Sequence, residues 1–155
     1  MGLDIYLSKK TFIGAMFSSS EVGGIISLTK KGVPIPIKTE RLVYVEEDIY
    51  HGSKTYWLQE WLNHELPDGL PNTGEQEIGD DILARLHEAC TVVLAHRDNR
   101  YALREACRKK LRCILKPDIT EEAKNLFLDE VEDLAQATSP EERTEDAVFL
   151  VSASW

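Results

Sequence analysis

Several groups of ionisable side chains in this chain could do chemistry. Asp4 lies in an N-terminal apolar run, Glu46 and Glu47 stand side by side, and His51 follows them. Carboxylates and an imidazole can exchange protons with a substrate when burial pushes their pKa values apart. Asp4, Glu46, Glu47 and His51 therefore mark a candidate pocket for a small ligand or an enzyme site. Neighbouring Glu46 and Glu47 would point to opposite sides of a strand. A cationic group follows: Arg100, Arg104, Arg108 and Arg112 recur every four residues, a helical ridge able to meet phosphates. An anionic group comes next, with Glu121, Glu122, Asp129, Glu130, Glu132 and Asp133, suited to docking on a basic protein surface.

The thiols Cys90, Cys107 and Cys113 complete the inventory. His87 and Cys90 stand one helical turn apart with His96 nearby, but no C-x-x-C pair accompanies them. Cys107 and Cys113, six residues apart, are turned about 240° from each other on a helix. The thiols are expected to be small buried hydrophobes, and neither a metal nor a cofactor is assigned. No Gly-rich phosphate loop follows a strand, and no nucleophile elbow, H-E-x-x-H pair or kinase signature occurs. No catalytic residue is assigned.

Charge is segregated along the chain. The 155 residues carry a formal net charge of −9. Residues 1–116 hold 16 acids and 16 bases, while 117–155 hold 11 acids against Lys124 and Arg143. A basic segment at 97–116 runs straight into an acidic one. Three readings follow: two consecutive helices folded back so that opposite charges neutralise, a phosphate-binding ridge, or an acidic surface that occupies a basic groove. A pI near 4.9 argues against a dedicated nucleic-acid binder.

The elements that must position these groups are a mixed set. Leu3, Ile5 and Leu7 alternate as one face of a strand. Ile25–Thr29 and Val33–Ile37 around Lys30-Lys31-Gly32 predict a hairpin whose proline-bearing arm turns Val33, Ile35 and Ile37 inward. Arg41–Val45 is a further strand. Ser53 can cap a helix to about Glu65 with Trp57, Leu58, Trp61 and Leu62 as its apolar stripe. Ile82, Leu86, Ala89, Cys90 and Val93 give the clearest helical periodicity, behind Asp80 and Asp81 at its positive end. The basic helix from Arg100 should bury Leu103, Cys107, Leu111 and Ile114. The acidic helix from Thr120 should bury Ala123, Phe127, Val131 and Leu134. Ala147–Val151 reads as a terminal strand returning to the sheet. The expected fold is α+β: a largely antiparallel sheet of N-terminal strands plus a C-terminal strand, beside about four helices. It forms one domain over 1–155, with 97–146 as a charged helical pair that could stand as an appendage.

The opening Met1-Gly2-Leu3-Asp4-Ile5-Tyr6-Leu7-Ser8-Lys9-Lys10-Thr11, with Ile13-Gly14 after it, resembles that of a family of small uncharacterised proteins of phages, prophages and bacterial genomes. The likeness continues through Val45-Glu46-Glu47, Trp61, Asp68-Gly69, Gly74-Glu75, Leu83, Leu86, Cys90 and Val93-Leu94, over roughly residues 1–95. Tyr50-His51-Gly52-Ser53-Lys54 departs from an aromatic-basic stretch of the family. The resemblance implies a phage-associated context and carries over no activity and no functional residue.

Together these readings predict a non-enzymatic accessory protein that binds a host protein, one such role being inhibition of a nucleic-acid-targeting defence system. A small-ligand binder or enzyme at the N-terminal sheet and a nucleic-acid binder using the arginine ridge are the alternatives. No stretch approaches the ~20 apolar residues of a membrane helix. The start lacks the basic-then-apolar order of a signal peptide, so the expected location is the cytoplasm of a bacterial host.

Overall fold

The computed structural model describes residues 3–12, 28–35, 44–71 and 74–154. Alternation in the opening run makes a strand, β1 (Asp4–Phe12), with Leu3, Ile5 and Leu7 at 2%, 0% and 0% exposure. Two short strands, β2 (Leu28–Lys30) and β3 (Val33–Ile35), form a separate antiparallel ribbon. Lys31 and Gly32 join them with φ of 51° and 78°, the positive values that two-residue hairpin loops require. Val33 is 65% exposed, which corrects its expected inward orientation. The ribbon is not part of the larger sheet, so its register does not turn Val33 into that core. Ile25 to Ser27, Ile37 and Arg41 to Val43 lie outside the described residues.

β4 (Tyr44–Ser53) pairs antiparallel with β1, so Gly52 opposes Ile5 and Tyr50 opposes Leu7. Helix α1 (Tyr56–Glu65) follows, starting at Thr55 and not Ser53, which is the last residue of the strand. It buries Leu58, Trp61 and Leu62, three residues of the expected stripe, and leaves Trp57 partly exposed. Between α1 and the next helix lies β5 (Glu75–Ile78), which the sequence reading missed. α2 (Asp80–Leu94) buries Ile82, Leu83, Leu86, Ala89, Cys90 and Val93. The expected face is present in full because its 3.6-residue periodicity is unbroken.

α3 (Arg100–Ala106) begins under a cap in which Asn99 accepts from the Ala102 N–H at 3.1 Å. It widens into one π turn, Cys107–Leu111, and ends on Arg112 in the left-handed region at φ 55°. Leu103, Cys107 and Leu111 are buried, but Ile114 is 83% exposed. That corrects its expected core position: the wider turn and the reversed residue at Arg112 break the periodicity before Ile114 is reached. α4 (Glu121–Ala137) is capped by Thr120, whose hydroxyl accepts from the Ala123 N–H at 3.2 Å. Its buried face is Leu128, Val131, Leu134, Ala135 and Ala137. Ala123 is exposed and Phe127 half-buried.

β6 (Ala147–Ser154) returns to the sheet and pairs with both β1 and β5, giving the order β4-β1-β6-β5, antiparallel throughout. The fold is α+β, a four-stranded antiparallel sheet beside the four helices, among the described residues. Leu7, Val151 and Ile5 from the sheet share one buried cluster with Leu86, Leu111, Val131 and Leu134 from the helices. Each such side chain contributes about 1.5–3 kcal/mol when withdrawn from water. The segment 97–146 thus shares its apolar interior with the sheet.

The exposed Ile114 gives a direct test of this chain path. Leu111→Ala should lower unfolding free energy by about 2–5 kcal/mol. Ile114→Ala should change it by no more than about 0.5 kcal/mol. Urea titration of both variants measures this, and equal losses would contradict the reversal at Arg112.

Candidate functional site

Basic and acidic segments meet, but not as two helices lying along each other. α4 packs on α2, while cations at the start of the basic segment reach across to it. Arg97 pairs with Glu132 at 3.5 Å, and Arg100 pairs with Glu121 at 2.8 Å while donating to the Ile119 carbonyl at 3.2 Å. Glu121 also takes Lys124 at 2.6 Å. Lys124 and then Arg100 hold its carboxyl below the usual range. The Arg97–Glu132 and Arg100–Glu121 pairs are about half exposed, so solvent screens them and they add little to stability.

The arginine ridge is not a continuous phosphate-binding row. Arg104 Nε donates to the Leu115 carbonyl at 3.1 Å, and Arg108 pairs with Glu105 of its own helix at 3.0 Å. The π turn and the left-handed residue carry Arg112 off the four-residue repeat. Arg100, Arg104 and Arg108 are therefore engaged with the protein itself.

The six acids expected to meet a partner divide by position. Glu121 and Glu132 are ion-paired as above. Glu130 is half-buried beside Trp57, whose Nε1 donates to it at 3.5 Å, and burial pushes its carboxyl above the usual range. Trp57 in turn meets Phe127 edge to face, with ring centroids 5.8 Å apart. Glu122, Asp129 and Asp133 are exposed, and no described cation pairs with them. They repeat at i, i+7 and i+11, so they fall along one side of α4 together with Leu126, which is 62% exposed. The expected buried face of this helix did not include Leu126, and the sequence reading gave that side chain no role.

Of the expected N-terminal pocket, Asp4 and His51 come together, and Glu46 and Glu47 do not join them. His51 Nε2 lies 3.8 Å from the Asp4 carboxylate, and its ring stacks on Tyr6 with centroids 4.5 Å apart. Glu46 and Glu47 lie further along β4, opposite Lys10 and Lys9, and Glu46 pairs with Lys10 at 3.6 Å. They stand five and four residues before His51 on the same extended strand, which holds them roughly 13–17 Å away from it. A different cavity, about 360 Å³, lies between β4 and α4. Ile49, Tyr50 and His51 form its strand wall, with Asp133, Gln136 and Ala137 on the helix and Glu142 beyond it. Glu142 accepts from Lys9 at 2.8 Å. Beside this wall a Cβ on Gly52 would lie 2.5 Å from both Tyr50 Oη and Thr55 Oγ1. Those two buried hydroxyls make no well-aligned hydrogen bond.

Cys90, Cys107 and Cys113 are all buried and free. Among the described residues no group of three or more His, Cys, Asp or Glu could hold a metal ion. His87 Nδ1 lies 2.8 Å from the Ala135 carbonyl of α4. Cys107 and Cys113, expected on opposite sides of a helix, instead come together: the Cys113 N–H donates to the Cys107 carbonyl at 3.3 Å. The reversal at Arg112 is the reason. Their thiols interact, which holds Cys113 below and Cys107 above the ordinary thiol value. Burial pushes Cys90 up to about 12.

No protein-family model, curated protein or solved structure matches the chain. Among the described residues no helix is long and apolar enough to cross a membrane.

Two measurements check this environment. Burial raises the Tyr50 phenol well above the ordinary value of 10, so the unfolded chain ionises first as pH rises. Stability should fall above about pH 10 by up to about 1.4 kcal/mol per pH unit from this group. Tyr50→Phe should flatten that loss, and an unchanged alkaline slope would refute it. Brief iodoacetamide treatment of native protein followed by peptide mapping should label Cys113 ahead of Cys107 and Cys90, because thiolate is the reactive form. Equal labelling would contradict the assignment.

Proposed function

We propose that this protein is a phage- or prophage-associated accessory protein of the bacterial cytoplasm that acts without catalysis by binding a host protein through α4. The phage context rests on the resemblance of its opening residues. The docking role rests on one observation: Glu122, Asp129 and Asp133 stand exposed on one side of α4 without a described cation, around the exposed side chain of Leu126. Elsewhere the described cations of α2, α3 and the π turn are largely taken up, Arg85 by Glu65 and Asp81, and Lys110 by Glu88. An unneutralised acidic row with an apolar centre complements a basic partner surface, speeding encounter through charge and holding through buried contact. Host proteins that bind nucleic acid present such surfaces, and covering one would inhibit it.

The test compares the native chain with Glu122→Lys/Asp129→Lys/Asp133→Lys in capture from a bacterial lysate. A basic protein retained by the native chain should be reduced about ten-fold or more by the triple reversal, since rim and interface charges of this kind are worth on the order of 1–2 kcal/mol together. Asp118→Lys, on the turn before α4, should leave retention unchanged. Equal retention by native and reversed chains would remove the proposed surface.

A further inference from the structure

Among the described strands β4 is an outer one. β1 occupies one of its edges, and among the described residues no strand pairs with the other. Such an edge presents a row of backbone N–H and C=O groups that a further strand can use. The strand is ten residues long, enough to pair with an extended segment over much of its length. At the shift in register opposite Leu7 and Ser8, Ile49 is the residue without a β1 partner. Ile49, Tyr50 and His51 then form the strand wall of the 360 Å³ cavity whose other wall is α4. A strand edge, a helix beside it and a groove between them are the parts that strand-addition sites use.

Charge selects the occupant. Glu46, Glu47 and Asp48 stand exposed in succession on β4, and Asp133 lines the helix side of the cavity. A second copy of β4 would set acid against acid, since like charges on neighbouring strands are destabilising. The same acids favour a segment whose alternate residues are lysine or arginine. We infer that the free edge of β4, with the adjoining groove against α4, binds an extended basic segment of a partner protein by strand addition. This rests on the docking role proposed for α4, because Asp133 belongs to both surfaces.

The probe is a capped peptide of alternating Lys and Val, about nine residues long to match the strand, titrated against the whole protein at low salt. Amide chemical shifts should move at Asp48–His51 and Asp133–Ala137. Backbone N-methylation at every second residue, in both registers, should weaken binding about ten-fold or more in one register only, since it removes hydrogen bonds on a single side. Glu47→Lys/Asp48→Lys should weaken it comparably, and circular dichroism shows whether that variant stays folded. Equal binding by both methylated peptides, or by a helical peptide of the same charge, overturns strand addition. So does the absence of any shift at millimolar peptide. If the reversal at Glu122, Asp129 and Asp133 still abolishes partner capture in those cases, the α4 reading stands alone. If capture is also indifferent to it, both are refuted.

Discussion

β1 can bury Ile5 and Leu7 completely only because both of its edges are paired, by β4 on one side and by β6 on the other. Leu7 faces Tyr50 across one ladder and Val151 across the other. The second of these partners comes from the far end of the chain, so the middle of the sheet forms only when the ends are brought together. Among the described residues β5 joins the sheet by pairing with β6. The helices between those strands must therefore be accommodated within a closed loop of sheet pairing. Within it α4 lies beside β4 and against α2, and the segment after α4 reaches back to Lys9 through Glu142.

The same constraint decides the fate of the charge. Because α4 packs on α2 and not along α3, the basic helix cannot neutralise the acidic one over its length. Arg97 and Arg100 reach Glu132 and Glu121, while Arg104 turns to the Leu115 carbonyl and Arg108 to Glu105. Glu122, Asp129 and Asp133 are left facing solvent. β4 shows a related compromise: an outer strand invites unwanted pairing, and the acidic run Glu46-Glu47-Asp48 opposes pairing with another acidic strand. Repulsion of like strands and attraction of basic ones arise from the same side chains, so protection and recognition need not be separate devices.

Elements with an intact local period were legible in the residues alone. The alternation of Leu3, Ile5 and Leu7 and the helical stripe of α2 follow from backbone geometry, and both occupy the core as their spacing requires. The C-terminal strand was legible for the same reason, since β-branched and aromatic residues favour a pleated surface. The strand expected over Arg41–Val45 instead runs from Tyr44 to Ser53 in its described part, so the acidic run lies within it. What local pattern did not contain was set by long-range packing. The π turn and reversed Arg112 bring Cys113 to Cys107 and expose Ile114, although helical spacing placed them otherwise. The continuation of β4 as one extended strand to Ser53 holds Glu46 and Glu47 away from His51. Charge segregation belongs to the order of residues and was fixed there. Which acids stay unpaired depends on which helix α4 packs against, and that is settled by closing the sheet around β1, an interaction between residues too distant in the chain for any local period to encode.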